Sequence, residues 1–169
     1  MKRGDIWISA VLYIALGVMV LTIILAAGLP VIEKMKDQYT ISQTKELMFR
    51  IDESIRYVYS QAPGAQIPLK TRISRGDIEV NQDQDTIIWT FTSKTVKSEP
   101  GIEVQEGNLI ILTEETTVSN RYDIILKLNY TNYLNLITPN SLDLAGANQI
   151  LIRNEGSSSD EVNISITTI

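Results

Sequence analysis

Three hydrophobic rhythms follow one another along the chain. From Ile6 to Ile32, 27 consecutive residues carry no charged side chain. As a helix rising about 1.5 Å per residue, this run spans roughly 40 Å, more than the ~30 Å hydrocarbon core of a bilayer. From Glu33 the pattern turns amphipathic. Leu47/Met48, Ile51, Ile55 and Val58/Tyr59 recur at three- and four-residue spacing and form one apolar stripe. Neither Gly nor Pro interrupts residues 31 to 62, and Pro63-Gly64 is the predicted stop. Glu46 with Arg50, and Asp52 with Arg56, are i,i+4 pairs in the favourable acid-first order. Gly28 and Pro30 are expected to bend or loosen the helix, because Pro30 removes one backbone donor.

Beyond Gly64 the period falls from 3.6 to 2. Apolar residues alternate with polar ones at Ile67/Leu69/Ile73, Ile87/Trp89/Phe91, Ile124/Leu126/Leu128 and Val162/Ile164/Ile166. Turn-forming residues separate these runs at Arg75-Gly76-Asp77, Asn81 to Asp85, Pro100-Gly101, Gly107-Asn108, Pro139-Asn140 and Gly156 to Asp160. Nine strands are predicted, at 67–73, 77–81, 86–92, 102–105, 108–113, 122–129, 133–137, 149–153 and 161–167. The fold class is therefore α+β. A long N-terminal α-helix, transmembrane and then amphipathic, precedes an antiparallel β-sandwich head packed on the helical stripe. The organisation reads as a basic leader over 1–4, an apolar helix over 5–32, its amphipathic continuation over 33–62 and the head over 65–169.

Charge sharpens this picture. Residues 61 to 169 carry 14 acids against 8 bases, a net −6, while 33 to 60 balance five of each. A strongly acidic head without a basic cluster argues against nucleic acid as a partner, since phosphate contacts need grouped Lys and Arg. The chain holds no Cys and no His, which excludes thiol chemistry, disulfides, Cys/His zinc sites and His-based triads. Ser, Lys and Tyr occur, but no spacing brings a base beside a nucleophile, so no catalytic residue, cofactor or metal site is assigned and the chain reads as a non-enzyme. Asp83, Asp85, Glu103 and Glu106 lack the regular ligand spacing of a calcium loop and read as a solvated acidic face. Arg-Gly-Asp occurs at Arg3 and at Arg75, a coincidence expected of so short a tripeptide. Asn129-Tyr130-Thr131 and Asn163-Ile164-Ser165 are candidate glycosylation sequons, with Asn129 and Asn163 expected opposite the apolar strand faces.

Lys2 and Arg3 before the apolar run, and mixed charges after it, orient the N-terminus to the cytoplasm and the head outside. Three readings of the run compete. A cleaved secretory signal would end near Ala26-Ala27-Gly28, but residues 6 to 25 already exceed the ~7–15 apolar residues such a signal carries. A permanent single-pass anchor is the second. The third is a short basic leader ending in Gly4, cut so that the apolar helix stays on the product.

The sequence Lys2-Arg3-Gly4 ahead of a long uncharged helix, its amphipathic extension and a β-rich head resembles archaeal type IV pilin-like proteins with a class III signal peptide. The stretches IRYVYSQAPGAQ and PGIEVQEGNLII are also similar to pilin-like sequences. The resemblance implies cleavage between Gly4 and Asp5 by a prepilin-type peptidase, export with the head outside, and assembly of identical subunits into a surface filament. Cleavage there places Asp5 first and Ser9 fifth, where many type IV pilins have Glu. Before assembly the partner of the helix is the lipid bilayer. In the filament core, the small residues Ala15, Gly17, Ala26 and Gly28, with the Gly28-Leu29-Pro30 step, would allow close helix packing. The rival expectation is a permanently anchored accessory protein, related to minor pilins, whose extracellular sandwich binds another envelope component.

Overall fold

The computed structural model describes residues 3–138, 144, 146–158 and 161–169. Lys2 of the leader, the Pro139-Asn140 turn and the end of the turn expected at Gly156 to Asp160 lie outside the described residues. The chain divides into two compact units, one ending at Lys36 and one running from Asp37 to Ile169. A single helix, α1 (Arg3–Tyr59), supplies all of the described first unit and the start of the second. It passes through Gly28 and Pro30 without interruption of its α conformation. It ends at Tyr59, four residues before the expected Pro63 stop.

Within the first unit, the apolar side chains from Trp7 to Ile32 are exposed. This part of α1 is long and apolar enough to cross a membrane.

The second unit opens with the amphipathic part of α1 and continues through nine strands: β1 (Gln66–Ile73), β2 (Asp77–Asn81), β3 (Thr86–Ser93), β4 (Val104–Glu106), β5 (Leu109–Glu115), β6 (Tyr122–Asn129), β7 (Asn135–Ile137), β8 (Gly146–Ser158) and β9 (Glu161–Thr168). They form two sheets, one ordered β1-β8-β9-β7 and the other β2-β3-β6-β5-β4. All nine fall where the alternating pattern places strands. The pairing is antiparallel throughout except at β7 and β9, which run parallel. β8 is longer than expected and takes in Gly156, whose φ of 93° accommodates a bulge between Asn154 and Gly156.

Period-two alternation gives each sheet one buried face. Ile87, Trp89, Phe91, Leu109, Ile111, Ile124, Leu126 and Leu128 come from the five-stranded sheet, and Ile73, Ile150, Ile152, Ile164 and Ile166 from the four-stranded one. The stripe of α1 joins the same core: Ile41, Met48, Ile51, Ile55 and Val58 are at most 1% exposed. Fully burying an aliphatic side chain contributes about 1.5–3 kcal/mol, so α1 is an integral part of the head's core.

Candidate functional site: an apolar helix surface and three polar anchors

The residues assigned to helix packing lie on the exposed apolar stretch of α1. Ala15, Gly17, Ala26 and Pro30 are exposed and Gly28 is half-exposed. A Cβ placed at Gly17 or at Gly28 would meet no atom within 4 Å. Neither glycine is therefore required by packing among the described residues. The polar side chain of Thr22 turns back on its own helix, donating to the Val18 carbonyl at 2.8 Å. An α-helix satisfies its backbone internally, so this surface offers a membrane or a partner helix only side chains. Gly4 and Asp5 lie in the first turns of α1.

Three polar residues tie α1 and the strands together within the head. Asp37 is nearly buried, and its Oδ1 accepts from Arg75 Nη1 at 2.8 Å. Its Oδ2 accepts from the Lys94 amide at 3.0 Å and Ser93 Oγ at 3.3 Å. A buried carboxylate needs such compensation, and here both oxygens are occupied. The Arg75 guanidinium also stands over the Phe91 ring, 4.9 Å from its centroid.

Asp52 makes the second anchor. Its Oδ2 takes Arg56 Nε at 2.9 Å, the pair expected from spacing. Its Oδ1 accepts from the Tyr130 hydroxyl at 2.9 Å and Asn108 Nδ2 at 3.0 Å. Burial pushes the Tyr130 hydroxyl far above the ordinary tyrosine value, with the Asp52 charge and the hydrogen bond to it adding in the same direction. Tyr130 is thus held as a neutral donor.

Asn154 is the third. Its Nδ2 donates to the carbonyls of Val58 at 3.2 Å and Gln61 at 3.1 Å, while its Oδ1 accepts from the Gly156 amide at 2.8 Å. Carbonyls at a helix C-terminus lack intrahelical donors, and a strand side chain supplies one here. This contact accompanies the end of α1 at Tyr59, whose carbonyl finds no amide four residues on because Pro63 has none.

The remaining motifs separate cleanly. In Arg75-Gly76-Asp77 the arginine is engaged by Asp37, and Gly76 has φ 82°. A Cβ at Gly76 would lie 2.6 Å from the Thr90 carbonyl and the Trp89 indole nitrogen, so the tripeptide is a packed β1–β2 turn. Asp85 Oδ1 accepts from the Leu136 amide at 2.8 Å, and Glu106 pairs with Lys45 at 2.6 Å. Among the described residues no three acids come together as a metal site. Asn129 is exposed, with Oδ1 accepting from Thr131 Oγ1 at 2.7 Å. Asn163 is half-buried and accepts from Asn135 Nδ2 at 3.0 Å. Glu46 and Arg50 form the expected surface pair at 2.6 Å.

Sequence reasoning found Asp52 only as half of a helix-surface pair, and it found neither Asp37 nor Asn154. Their partners in other elements lie 38 to 96 residues away in the chain, beyond the reach of local spacing. Asp37 lies ten residues ahead of the predicted stripe, which begins at Leu47, so local pattern carried no signal for it. The chain matches no protein-family model, no curated protein and no solved structure.

Proposed function

We propose that the chain is a structural subunit of a type IV pilus-like surface filament. The observation that carries this reading is the apolar surface of α1 from Trp7 to Ile32, exposed on every side of the helix. Soluble monomers rarely expose contiguous apolar patches above a few hundred Å². Before assembly this surface lies in the bilayer, with residues 1–4 in the cytoplasm and the head outside. A prepilin-type peptidase cuts after Gly4. The helices of identical subunits then exchange lipid for one another and form the filament core.

The glycines support packing between subunits rather than within one. Gly17 and Gly28 have open space where a side chain would stand, and small residues are what allow helix backbones to approach closely in an apolar medium. Cleavage is a physical precondition. Lys2 and Arg3 carried into an apolar bundle would each cost roughly 2.5–3.5 kcal/mol without partners. The head contributes no chemistry in this reading; its folded β-structure forms the outer surface.

Gly17→Leu tests the packing role. It should leave expression and membrane insertion unchanged, yet sharply reduce protein recovered in a sheared filament fraction. Equal recovery of wild type and variant would count against helix packing in a filament core. Protease added to intact cells should remove the head; full protection of Arg121 and Lys127 would overturn the orientation.

A further inference from the structure

The head from Asp37 to Ile169 carries 18 acids against 11 bases, yet one open groove in it is basic. This groove, of about 260 Å³, runs between α1 and the outer strand β1. Tyr39, Gln43, Leu47 and Arg50 line one wall, Lys70 and Arg72 the other. Glu46, also in the wall, is neutralised by Arg50. Lys70 and Arg72 are both exposed and take part in no ion pair among the described residues. They sit two residues apart on one face of an edge strand, so their charges repeat at about 7 Å.

The opposite pattern stands on another edge. β2 borders the five-stranded sheet, and its exposed residues Asp77 and Glu79 are also two apart. Neither has an ion-pair partner among the described residues, and Asp83 in the following turn adds a third exposed acid. Two cations and two anions thus share one spacing, on the edges of two different sheets of the same head.

We propose that the β1/α1 groove of one copy receives the acidic β2 edge of the next. The contact rests on the filament reading and names the head surfaces by which assembled copies meet. Because the two surfaces differ, the interface is heterologous, and such an interface propagates into a helical array when its rotation does not close. Arg72 and Lys70 face Glu79 and Asp77 of the neighbouring copy, while the Glu46–Arg50 pair leaves their two charges as the net field of the groove. Complementary charge fixes orientation and partner choice, and salt screens it at exposed sites.

The chain has no cysteine, so introduced thiols report on this contact alone. Full-length Arg72→Cys and Glu79→Cys, carrying different tags, are co-expressed and treated with a short bismaleimide, both as sheared filaments and in the membrane fraction. The expected result is a cross-link between the two variants, above that within either variant by itself, and lost at high salt. Lys70→Glu with Arg72→Glu should reduce filament recovery, and adding Asp77→Lys with Glu79→Lys should restore it. Filaments recovered without the mixed cross-link would overturn this contact and leave the filament reading intact. A wild type that forms no filaments would remove the filament reading. A mixed cross-link in its membrane fraction would still uphold the contact, and its absence there would overturn it. Loss of binding to anionic lipid vesicles by Lys70→Glu/Arg72→Glu, with no mixed cross-link, would reassign the groove to lipid headgroups and overturn the proposal.

Discussion

The Tyr130 hydroxyl donates to Asp52 Oδ1 at 2.9 Å, joining the residue after β6 to the middle of the amphipathic part of α1 across 78 residues of sequence. Tyr130 is 1% exposed, so this bond lies at the edge of the core formed by α1 and the strands. It couples the helix to the five-stranded sheet through a group whose charge state depends on pH.

The folded head raises the Tyr130 value above that of an unfolded tyrosine, near 10. Its contribution to stability is therefore complete below about pH 10 and is lost as pH rises above it, because only the unfolded chain then releases the proton. Tyr130→Phe should lower stability at neutral pH by about 1.5–3 kcal/mol, the usual range for a hydrogen bond to a charged group. Thermal unfolding of full-length protein in detergent should show this gap narrowing above pH 10. Parallel stability curves for wild type and variant from pH 7 to 11 would contradict the assignment.

Asn154→Ala removes one donor shared by the Val58 and Gln61 carbonyls, and the acceptor of the Gly156 amide. The site is 2% exposed, so water does not readily replace these partners. The expected loss is about 1–3 kcal/mol by denaturant unfolding. A change within about 0.5 kcal/mol, typical of a surface position, would show that the anchor is dispensable.

The two parts of α1 should answer alanine substitution differently. Ile51 is 1% exposed in the core, and truncation there should cost about 2–5 kcal/mol of head stability. Leu16 is 57% exposed, so Leu16→Ala should leave head unfolding in detergent unchanged. Equal losses at the two positions would contradict the division of the helix into an apolar surface and a core stripe.

These contrasts follow the division between what local pattern encodes and what it does not. The strands were legible because alternation at Ile87, Trp89 and Phe91, or Ile124, Leu126 and Leu128, reports directly on one buried face. The stripe from Leu47 to Val58 was legible for the same reason at helical period. The parallel pairing of β7 was not, since Asn135–Ile137 holds one buried residue, Leu136, and three residues carry no directional signal. The donor that Asn154 brings to the end of α1 was not legible either, since it comes from 96 residues away from Val58. Asp37 was passed over because its partners Arg75, Ser93 and Lys94 arrive only once the sheets have formed. The apolar surface was plain in the sequence; its role rests on what packs against it.

Processing after Gly4 is the central claim, and intact mass reads it directly. Wild-type protein recovered from sheared filaments should begin at Asp5 and lack the mass of residues 1–4. Gly4→Leu should insert in the same orientation, because residues 6 to 32 and the basic flank are unchanged. It should keep its leader and remain in the membrane fraction, held there by two cations that a packed apolar bundle excludes. Wild-type protein that retains Met1 to Gly4 and is found only in membranes, indistinguishable from Gly4→Leu, would contradict the account.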